Sequence, residues 1–417
     1  MTQDTELLDV SEARRRLLEH FSPLDIIEIP ITAAIGRVLA KTIRAAHDLP
    51  PFPNSSMDGF AVHAADITNA SSEYPVSLRV IGDIPAGKVF DRTLKLGEAV
   101  RIMTGAMIPP GADTVTPVED TDQYQVEEAG QAPEVVQIFR PTQPGGNLRP
   151  AGQDVGKGEI VLHAGHRIRP QDVGLFSMLG QATVPVHRQP RVAIFSSGDE
   201  LIPADEPLIP GKIHDANSIM LAGLVEQYGG KEVYLGIIPD RPEAVEKILG
   251  EAASANVDLI VSSAGVSVGA FDYVRATIER EGKLVFWRVN MRPGKPLAFG
   301  FYQDIPFVGL PGNPVSAFVG FEVFLRPVIQ KMAGILEEKR LILRARLLDP
   351  IESDGRESYL RASVNWQDGE TVCQLVGHQG SGNLRSLVQA NALLFVPSGV
   401  KYVPSGAQME VLLLDTW

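Results

Sequence analysis

The chain has 417 residues, which at about 150 residues per domain points to two to four domains rather than one. Its 39 glycines and 31 prolines are many, yet 44% hydrophobic and 21% charged residues are ordinary globular values, so global disorder and an all-helical bundle are excluded. The formal charge of -13 opposes general binding to nucleic acid or to an anionic membrane, and any anionic substrate needs a local basic pocket.

The first segment reads as a helix: Asp9 and Glu12 resemble an N-cap and N3 pair, and Val10, Ala13, Leu17 and Leu18 recur near helical spacing. A second short helix is predicted after Thr32, through Ala33, Ala34, Ile35, Val38 and Leu39. From Leu49 the run PPFPNSSMDG packs prolines and turn formers together, which forbids a regular helix and predicts an ordered loop leading into a strand at 60–62. Residues 75–165 give short strand candidates separated by Gly and Pro: PVSLRVIG, EAVRIMTG, DTVTPVED, PEVVQIF and GEIVL. QPGGNLRPAGQDVGKG (143–158) is a loop, and HRIRPQDVGLFSMLG restarts a helix near Pro170, a residue suited to a first helical turn.

From Arg188 the pattern becomes βαβ. RVAIFSSG, KEVYLGIIPD and DLIVSSAG read as strands, with SIMLAGLVEQYG and RPEAVEKILGEAASAN as the helices between them. FDYVRATIEREG follows as a helix, then LVFWRVNM, PLAFGFY and PFVGLPG as strands, then PVSAFVGFEVFLRPVIQKMAG as a long helix. Such alternation predicts right-handed crossovers in a doubly wound, mostly parallel α/β sheet with ligands at the C-terminal strand ends. After Gly334 only short strands are expected (RLILRARLL, YLRASVNWQ, CQLVGH, ALLFVPS, QMEVLLLD), giving a small β-barrel or sandwich.

The lone Cys373 allows neither an intrachain disulfide nor a thiolate zinc cage and reads as buried filler. Residues 1–9 are acidic and lack the features of a secretory signal. No apolar run approaches the ~18 residues of a membrane span, since even 318–329 is interrupted by Glu322 and Arg326. A soluble, cytoplasmic protein is expected.

Four loops carry residue types with a chemical use. In SSGDEL, Gly198 permits close backbone approach and Asp199 with Glu200 offers carboxylates for a metal or for sugar hydroxyls; the same residues also suit a helix N-cap with an acidic first turn. In IHDAN, Asp215 either caps the next helix or faces the crevice with Glu200. SSAGVSVGAFDYV is rich in small residues, Ser263, Gly265, Ser267 and Gly269 among them, so its backbone amides can approach a phosphate, although it matches neither a Walker A loop nor a dinucleotide fingerprint and a tight turn is the alternative. MRPGKP holds Arg292 and Lys295 close together on a stiff backbone as anion binding demands, and in GLPGNPVS Pro314 opens a helix where Ser316 adds a donor; solvated basic residues on a strand turn are the alternative. Together the loops suit a divalent metal bridging an anionic, phosphorylated ligand.

The ordered set NSSMDGFAV (54–62), RIMTGAMIPPGADTVTPVED (101–120), SSGDEL, IHDAN, SAGVSVGAFDYV, MRPGKP and GLPGNPVSAF resembles, over essentially the whole chain, the molybdopterin molybdenumtransferase family, called MoeA in bacteria and similar to the gephyrin E domain. The resemblance implies an N-terminal linking domain (1–48 and 143–187), an inserted β-rich lobe (49–142), the α/β molybdopterin-binding domain (188–334) and a C-terminal β domain (335–417). It implies a homodimer with the active site between the α/β domain of one subunit and the β-rich lobe of the other. The implied reaction takes adenylylated molybdopterin and molybdate, with Mg2+, to molybdenum cofactor and AMP, and the adenylylating enzyme and apo-molybdoenzymes are the implied protein partners.

By the same resemblance, Asp58 and Thr104 match positions that reach the partner's cleft, and Asp154 matches a further acid. Glu200, Asp215 and Asp272 match the acids that hold Mg2+ or the nucleotide, Asp272 serving adenylate cleavage, and the small loop residues match the phosphate site. Arg292, Lys295, Pro296, Ser316, Arg361 and Ser381 match the neighbourhood where molybdate docks. Three positions depart from the pattern: Arg292 stands for a common Lys, Ala264 for a common Gly, and Arg385 for a smaller polar residue. A gephyrin-type scaffold and another nucleotide pyrophosphate-cleaving enzyme on the same domain are the competing readings.

Overall fold

A computed structural model describes residues 7–124, 130–264, 273–335 and 340–414. They fall into two units, one of Met1–Ala40, Gly165–Arg169 and Thr183–Trp417, the other of Lys41–Ala164 and Pro170–Ala182.

In the first unit, helix α1 (Val10–Glu19) is followed by a two-stranded antiparallel ribbon, β1 (Ile26–Pro30) with β2 (Thr183–His187). The ribbon is absent from the sequence reading. Then come β3 (Arg191–Ser197), α2 (Asn217–Gln227), β4 (Lys231–Ile238), α3 (Pro242–Ser254), β5 (Leu259–Ser263), α4 (Tyr273–Glu281), β6 (Gly282–Arg288), β7 (Pro296–Tyr302) and β8 (Ile305–Leu310). The six strands form one sheet in the order β4-β3-β5-β8-β7-β6. The first four are parallel; β7 is antiparallel to β8, and β6 to β7, so β6 again points the way of the parallel set. Alternation along β3 explains the double winding. Val192 and Ile194 pack into the core shared with α1, α2 and the long C-terminal helix, while Ala193 and Phe195 pack with Val245, Leu249, Val274 and Ile278 of α3 and α4.

The expected long helix is present as α5 (Pro314–Gly320), a π-helical turn (Phe321–Leu325) and α6 (Arg326–Met332). The π turn carries the buried Glu322, whose carboxylate accepts from the Tyr228 hydroxyl at 2.7 Å and the Arg340 guanidinium at 2.9 Å, and meets Arg326 at 3.3 Å. Burial and the Glu322 charge hold the Tyr228 phenol well above its usual pKa.

Next come β9 (Ile342–Leu347), β10 (Glu357–Gln367), β11 (Glu370–Leu375), α7 (Leu384–Gln389), β12 (Ala392–Val396) and β13 (Gln408–Leu413). The pairings β10-β11-β9-β13-β12 and back to β10 close a five-stranded barrel, filled by Leu347, Leu360, Cys373, Leu394 and Val411. Closure removes the free edges a sandwich would leave. Burial pushes the Cys373 thiol up to about 11, as befits filler.

The second unit holds a five-stranded sheet in the order Thr114–Pro117, Gly59–Val62, Glu98–Ile102, Val76–Ile84, Val135–Ile138, and the helix Pro170–Met178. The strand Gly59–Val62, which pairs with Thr114–Pro117 on one side and Glu98–Ile102 on the other, is buried on both faces, Phe60 and Val62 to one cluster and Ala61 to the other. Gly59 is required by close approach, because a Cβ there would stand 2.0 Å from the Thr116 carbonyl oxygen.

Three local expectations are corrected. The helix expected after Thr32 is only a 3-10 turn, Ile31–Ala33; Gly36 turns the chain with φ +80°, and Val38 and Leu39 are instead consumed in bridges to Arg167 and Val186. Asp9 makes no side-chain cap on α1, because Glu12 is engaged by Arg15 and Arg16, which hold its carboxyl down at about 2. Finally, helix does not stop at Gly334, since α7 lies within the barrel region.

Glu322→Ala leaves two arginines without their shared carboxylate, and we expect a loss of about 3–5 kcal/mol, read as a lower urea midpoint of unfolding.

Candidate active site

Parallel strands deliver their ligand groups at one edge, and β3, β4, β5 and β8 end there together in Ser197, Ile238, Ser263 and Leu310. After β3 the chain turns at Gly198, and the Glu200 carboxylate folds back over it: a Cβ on Gly198 would meet the Glu200 Oε2 at 2.7 Å. Glu200 and Asp199 are both exposed. The Asp199 Oδ1 accepts the Asp240 N–H at 3.2 Å, and the Ser197 hydroxyl donates to the Asp240 carboxylate, so a third acid joins this edge. Asp240 was missed in the sequence. Its signal was there, since IIPDRP is the C-terminal end of a parallel strand like the loops that were singled out.

Asp215 takes the capping alternative. Its buried Oδ1 accepts from the Ser196 hydroxyl at 3.1 Å and from the N–H groups of Asn217 and Ser218 at 3.0 and 3.3 Å, while its Oδ2 accepts from the Ser218 hydroxyl. These bonds fix the start of α2 and leave Oδ2 one free lone pair for a ligand. The next residue locks two loops: Asn217 Nδ2 donates to the Ser263 hydroxyl and to the Gly312 carbonyl, both at 2.7 Å. Beside Ser263, the buried Ser262 hydroxyl has no partner among the described residues. Gly265, Ser267, Gly269 and Asp272 lie outside the described residues. Among the described residues no group of three or more His, Cys, Asp or Glu side chains is arranged to hold a metal ion.

The basic half of the site is built from the MRPGKP loop and the barrel. Met291 and Arg292 pair in parallel with Glu357 and Ser358 of β10, which ties the loop to the barrel wall. Arg292 lies 3.9 Å from Asp354, but that carboxylate is already gripped by Arg356 at 2.5 and 3.0 Å, which holds its pKa below the ordinary range. Lys295 is exposed, and Pro296 begins β7 behind it. Ser316 is buried in the first turn of α5, and the Val315 N–H donates to the Ser381 carbonyl at 3.0 Å, so these two serines belong to the same corner.

Arg361 occupies the centre. Its side chain is fully buried. Nε donates to the Ser386 hydroxyl at 3.0 Å and Nη2 to the carbonyls of His378 and Gly380 at 3.1 and 3.0 Å, all neutral acceptors, while Nη1 has no partner. Burial first, and the Arg292 charge second, push its pKa down to about 10. The loop that wraps it is held by Gln379, which accepts the Arg361 N–H at 3.0 Å and donates to the Arg361 carbonyl at 3.1 Å. Arg385, by contrast, is exposed on α7.

Asp58, Thr104 and Asp154 are in the second unit. The MDG and MTG turns meet there, the Thr104 N–H donating to the Asp58 Oδ1 at 2.6 Å, and both side chains are exposed. Asp154 is exposed on a separate loop anchored by its N–H to the Leu49 carbonyl at 2.9 Å.

A doubly wound α/β domain with small residues and carboxylates at the C-terminal edge of its parallel strands is thus joined to a barrel that buries the Arg361 guanidinium. Family models cover almost the whole chain: the MoeA N-terminal region (domain I and II) matches residues 8–180, the probable molybdopterin binding domain residues 193–331, and the MoeA C-terminal region (domain IV) residues 344–414. A molybdopterin molybdenumtransferase of Nostoc sp. is 39% identical over 93% of this chain and 88% of its own, and one of Bacillus subtilis 37% identical over 98% and 94%. The crystal structure of a molybdopterin biosynthesis MoeA protein from Pyrococcus horikoshii superposes with a TM-score of 0.83 at 30% identity, covering 99% of this chain and 100% of the other. The chain belongs to the molybdopterin molybdenumtransferase family, transferases of molybdenum cofactor biosynthesis.

One departure has a measurable consequence. Ala264 has φ +72°, in the left-handed region, and a Cβ on Gly312 would stand 3.2 Å from the Ala264 Cβ. Relief of roughly 1–2 kcal/mol of left-handed strain exceeds the roughly 0.4–1 kcal/mol of added chain entropy in the unfolded state. Ala264→Gly should therefore stabilise the protein by about 0.5–1 kcal/mol, seen as a raised urea midpoint.

Proposed function

We propose that the protein inserts molybdenum from molybdate into adenylylated molybdopterin and releases AMP, as a Mg2+-dependent cytoplasmic homodimer. The observation that carries this reading is Arg361: a fully buried guanidinium, with only neutral acceptors and one nitrogen unpartnered, beside the guanidinium of Arg292. A buried charge without a counter-charge is costly, and a small dianion such as molybdate supplies the missing oxygens. Arg292, Lys295 and the Ser316 and Ser381 hydroxyls complete the dock, with Pro296 shaping the backbone behind Lys295.

The acidic edge serves the phosphates. Its donors are carboxylate and hydroxyl oxygens, a donor set that suits Mg2+, which takes one or two carboxylates and the phosphates of its ligand. Glu200 and the free lone pair of Asp215 would hold it, with Asp272 as the third acid. When bound, the ion neutralises the phosphate anhydride and the departing AMP. Ser263 and the loop residues Gly265, Ser267 and Gly269 bind the phosphates, the locked Asn217–Ser263 contact keeping that strand end in place. Asp58, Thr104 and Asp154 act on the partner's site. The β1–β2 ribbon supports a dimer, because Ile26 and Ile27 are 48% and 37% exposed on an element too small to be stable alone. The adenylylating enzyme and apo-molybdoenzymes are its upstream and downstream partners.

Purified protein with adenylylated molybdopterin, molybdate and Mg2+ should release AMP and form molybdenum cofactor; unchanged pterin substrate overturns the reading. AMP release from generic nucleotides without pterin would favour a pyrophosphatase instead, and no turnover with intact receptor-peptide binding a scaffold. Losing charge-assisted hydrogen bonds of about 1.5–3 kcal/mol, Arg361→Ala should raise the half-saturating molybdate concentration by roughly 10–100-fold. Asp272→Ala should retain substrate binding and lose AMP release by about 100-fold or more in single-turnover assays.

A further inference from the structure

Behind the exposed Asp58 and Thr104 of the second unit lies one buried hydroxyl. Ser55, in the short strand Asn54–Ser55, is fully buried, whereas Met57, Asp58 and Thr104 are exposed. Its Oγ donates to the Met57 carbonyl at 2.6 Å and accepts the Met57 N–H at 3.3 Å. A serine hydroxyl has one proton and two lone pairs, and here both kinds of bond go to the residue two positions on, which fixes the turn between them. The Met57 carbonyl shares its peptide plane with the Asp58 N–H, so holding the one sets the direction in which Asp58 leaves the chain.

The backbone of Ser55 carries the other turn. Its N–H donates to the Ala106 carbonyl at 3.0 Å and its carbonyl accepts the Gly105 N–H at 2.8 Å, while the Ala106 N–H closes the turn around Thr104 by donating to the Met103 carbonyl at 3.0 Å. The two turns then meet where the Thr104 N–H donates to the Asp58 Oδ1. The Asp58 Oδ2 and the Thr104 hydroxyl make no hydrogen bond among the described residues, so both stay available for a ligand. Every link in this chain of contacts, from the buried strand to the exposed carboxylate, passes through Ser55.

We infer that Ser55 is a positioning residue for the reaction: its hydroxyl holds the MDG turn so that the Asp58 carboxylate is fixed against the MTG turn. Fully buried, it cannot touch substrate itself. The inference rests on the function proposed above, which has Asp58 act at the site, and extends that function to a residue with no ligand contact. Removing the hydroxyl leaves the backbone bonds of Ser55 in place, so the loss falls on the placement of Asp58 rather than on the fold, and small misplacements of a reacting group are costly.

The test compares full-length wild type with Ser55→Ala, Asp58→Ala and the double variant, with thermal unfolding as the check on folding. Deuterium exchange of the segment 103–106 needs no turnover: Ser55→Ala should speed it by roughly 2–10-fold, and exchange unchanged from wild type overturns the inference. The second readout is kinetics with adenylylated molybdopterin, molybdate and Mg2+, single-turnover AMP release being used for the slow variants. Ser55→Ala should lower kcat by roughly tenfold with KM within about threefold of wild type. On the Asp58→Ala background the same substitution should cost less than about twofold more, since a residue that acts through Asp58 then has nothing left to position. An equal loss on both backgrounds marks a general structural role and overturns the inference, as does an unchanged kcat, while the proposed function stands. If wild type itself does not turn over, the proposed function fails, and the exchange readout alone decides whether Ser55 holds the turns together. Should Ser55→Ala unfold, Ser55→Cys, which keeps the shape and weakens the bonds, takes its place in both readouts with the same outcomes.

Discussion

A guanidinium sealed into protein with no acid beside it sets the terms for the ligand-binding half of the molecule. Arg361 has three of its donor contacts met by a serine hydroxyl and two backbone carbonyls, and the remaining nitrogen met by nothing. Such a group is unfavourable unless a ligand brings negative charge, and much of the neighbourhood reads as preparation for that event. The loop around it is clamped by Gln379, the barrel wall is stitched to the MRPGKP turn, and the one nearby carboxylate, Asp354, is drawn away by Arg356. The result is a fixed positive corner in a protein whose overall charge repels anions.

The sheet edge solves a different problem. In the proposed function a multiply charged phosphate ligand would need oxygen donors for its metal and close backbone approach, and β3 and β5 end in serines beside the exposed carboxylates of Asp199 and Glu200. Asp215 shows how the two demands compete. Most of its lone pairs are spent on starting α2, which makes it a rigid part of the edge and limits what it can give to a metal. Ala264 shows the opposite compromise, with a side chain placed in a backbone conformation suited to glycine and Gly312 left bare to receive it.

Much of the fold was legible in the chain. The βαβ alternation after Arg188, the all-β texture of 75–165 and the final short strands correspond to elements observed, and the motif order resembles the family to which the chain belongs. The β1–β2 ribbon was illegible because its partners are more than 150 residues apart and IIEIP alone has no turn to announce a pairing. The helix expected at 33–39 failed for a related reason: Val38 and Leu39 are apolar because they are buried in long-range bridges, and periodicity cannot tell that from a helix face. Of the site, Glu200, Arg292 and Lys295 are legible as residue types in motif loops, whereas Arg361, in the strand Glu357–Gln367, follows only from the family resemblance. Asp240 is not legible because it looks like an ordinary strand end.

The sequence by itself determined the element types, the family and the inventory of acids, cations and small residues, because these follow from local periodicity, turn chemistry and motif order. Only the tertiary structure decided which charges are compensated. Asp354 belongs to Arg356, Glu279 to Arg275, and Glu322 to Arg340, Arg326 and Tyr228, whereas Arg361 has no acid among the described residues. Pairing is a matter of a few ångströms between groups far apart in the chain, and a local reading of residue types contains no such distances. The uncompensated Arg361 cation, rather than the motif loops, is what folding adds to the account of function.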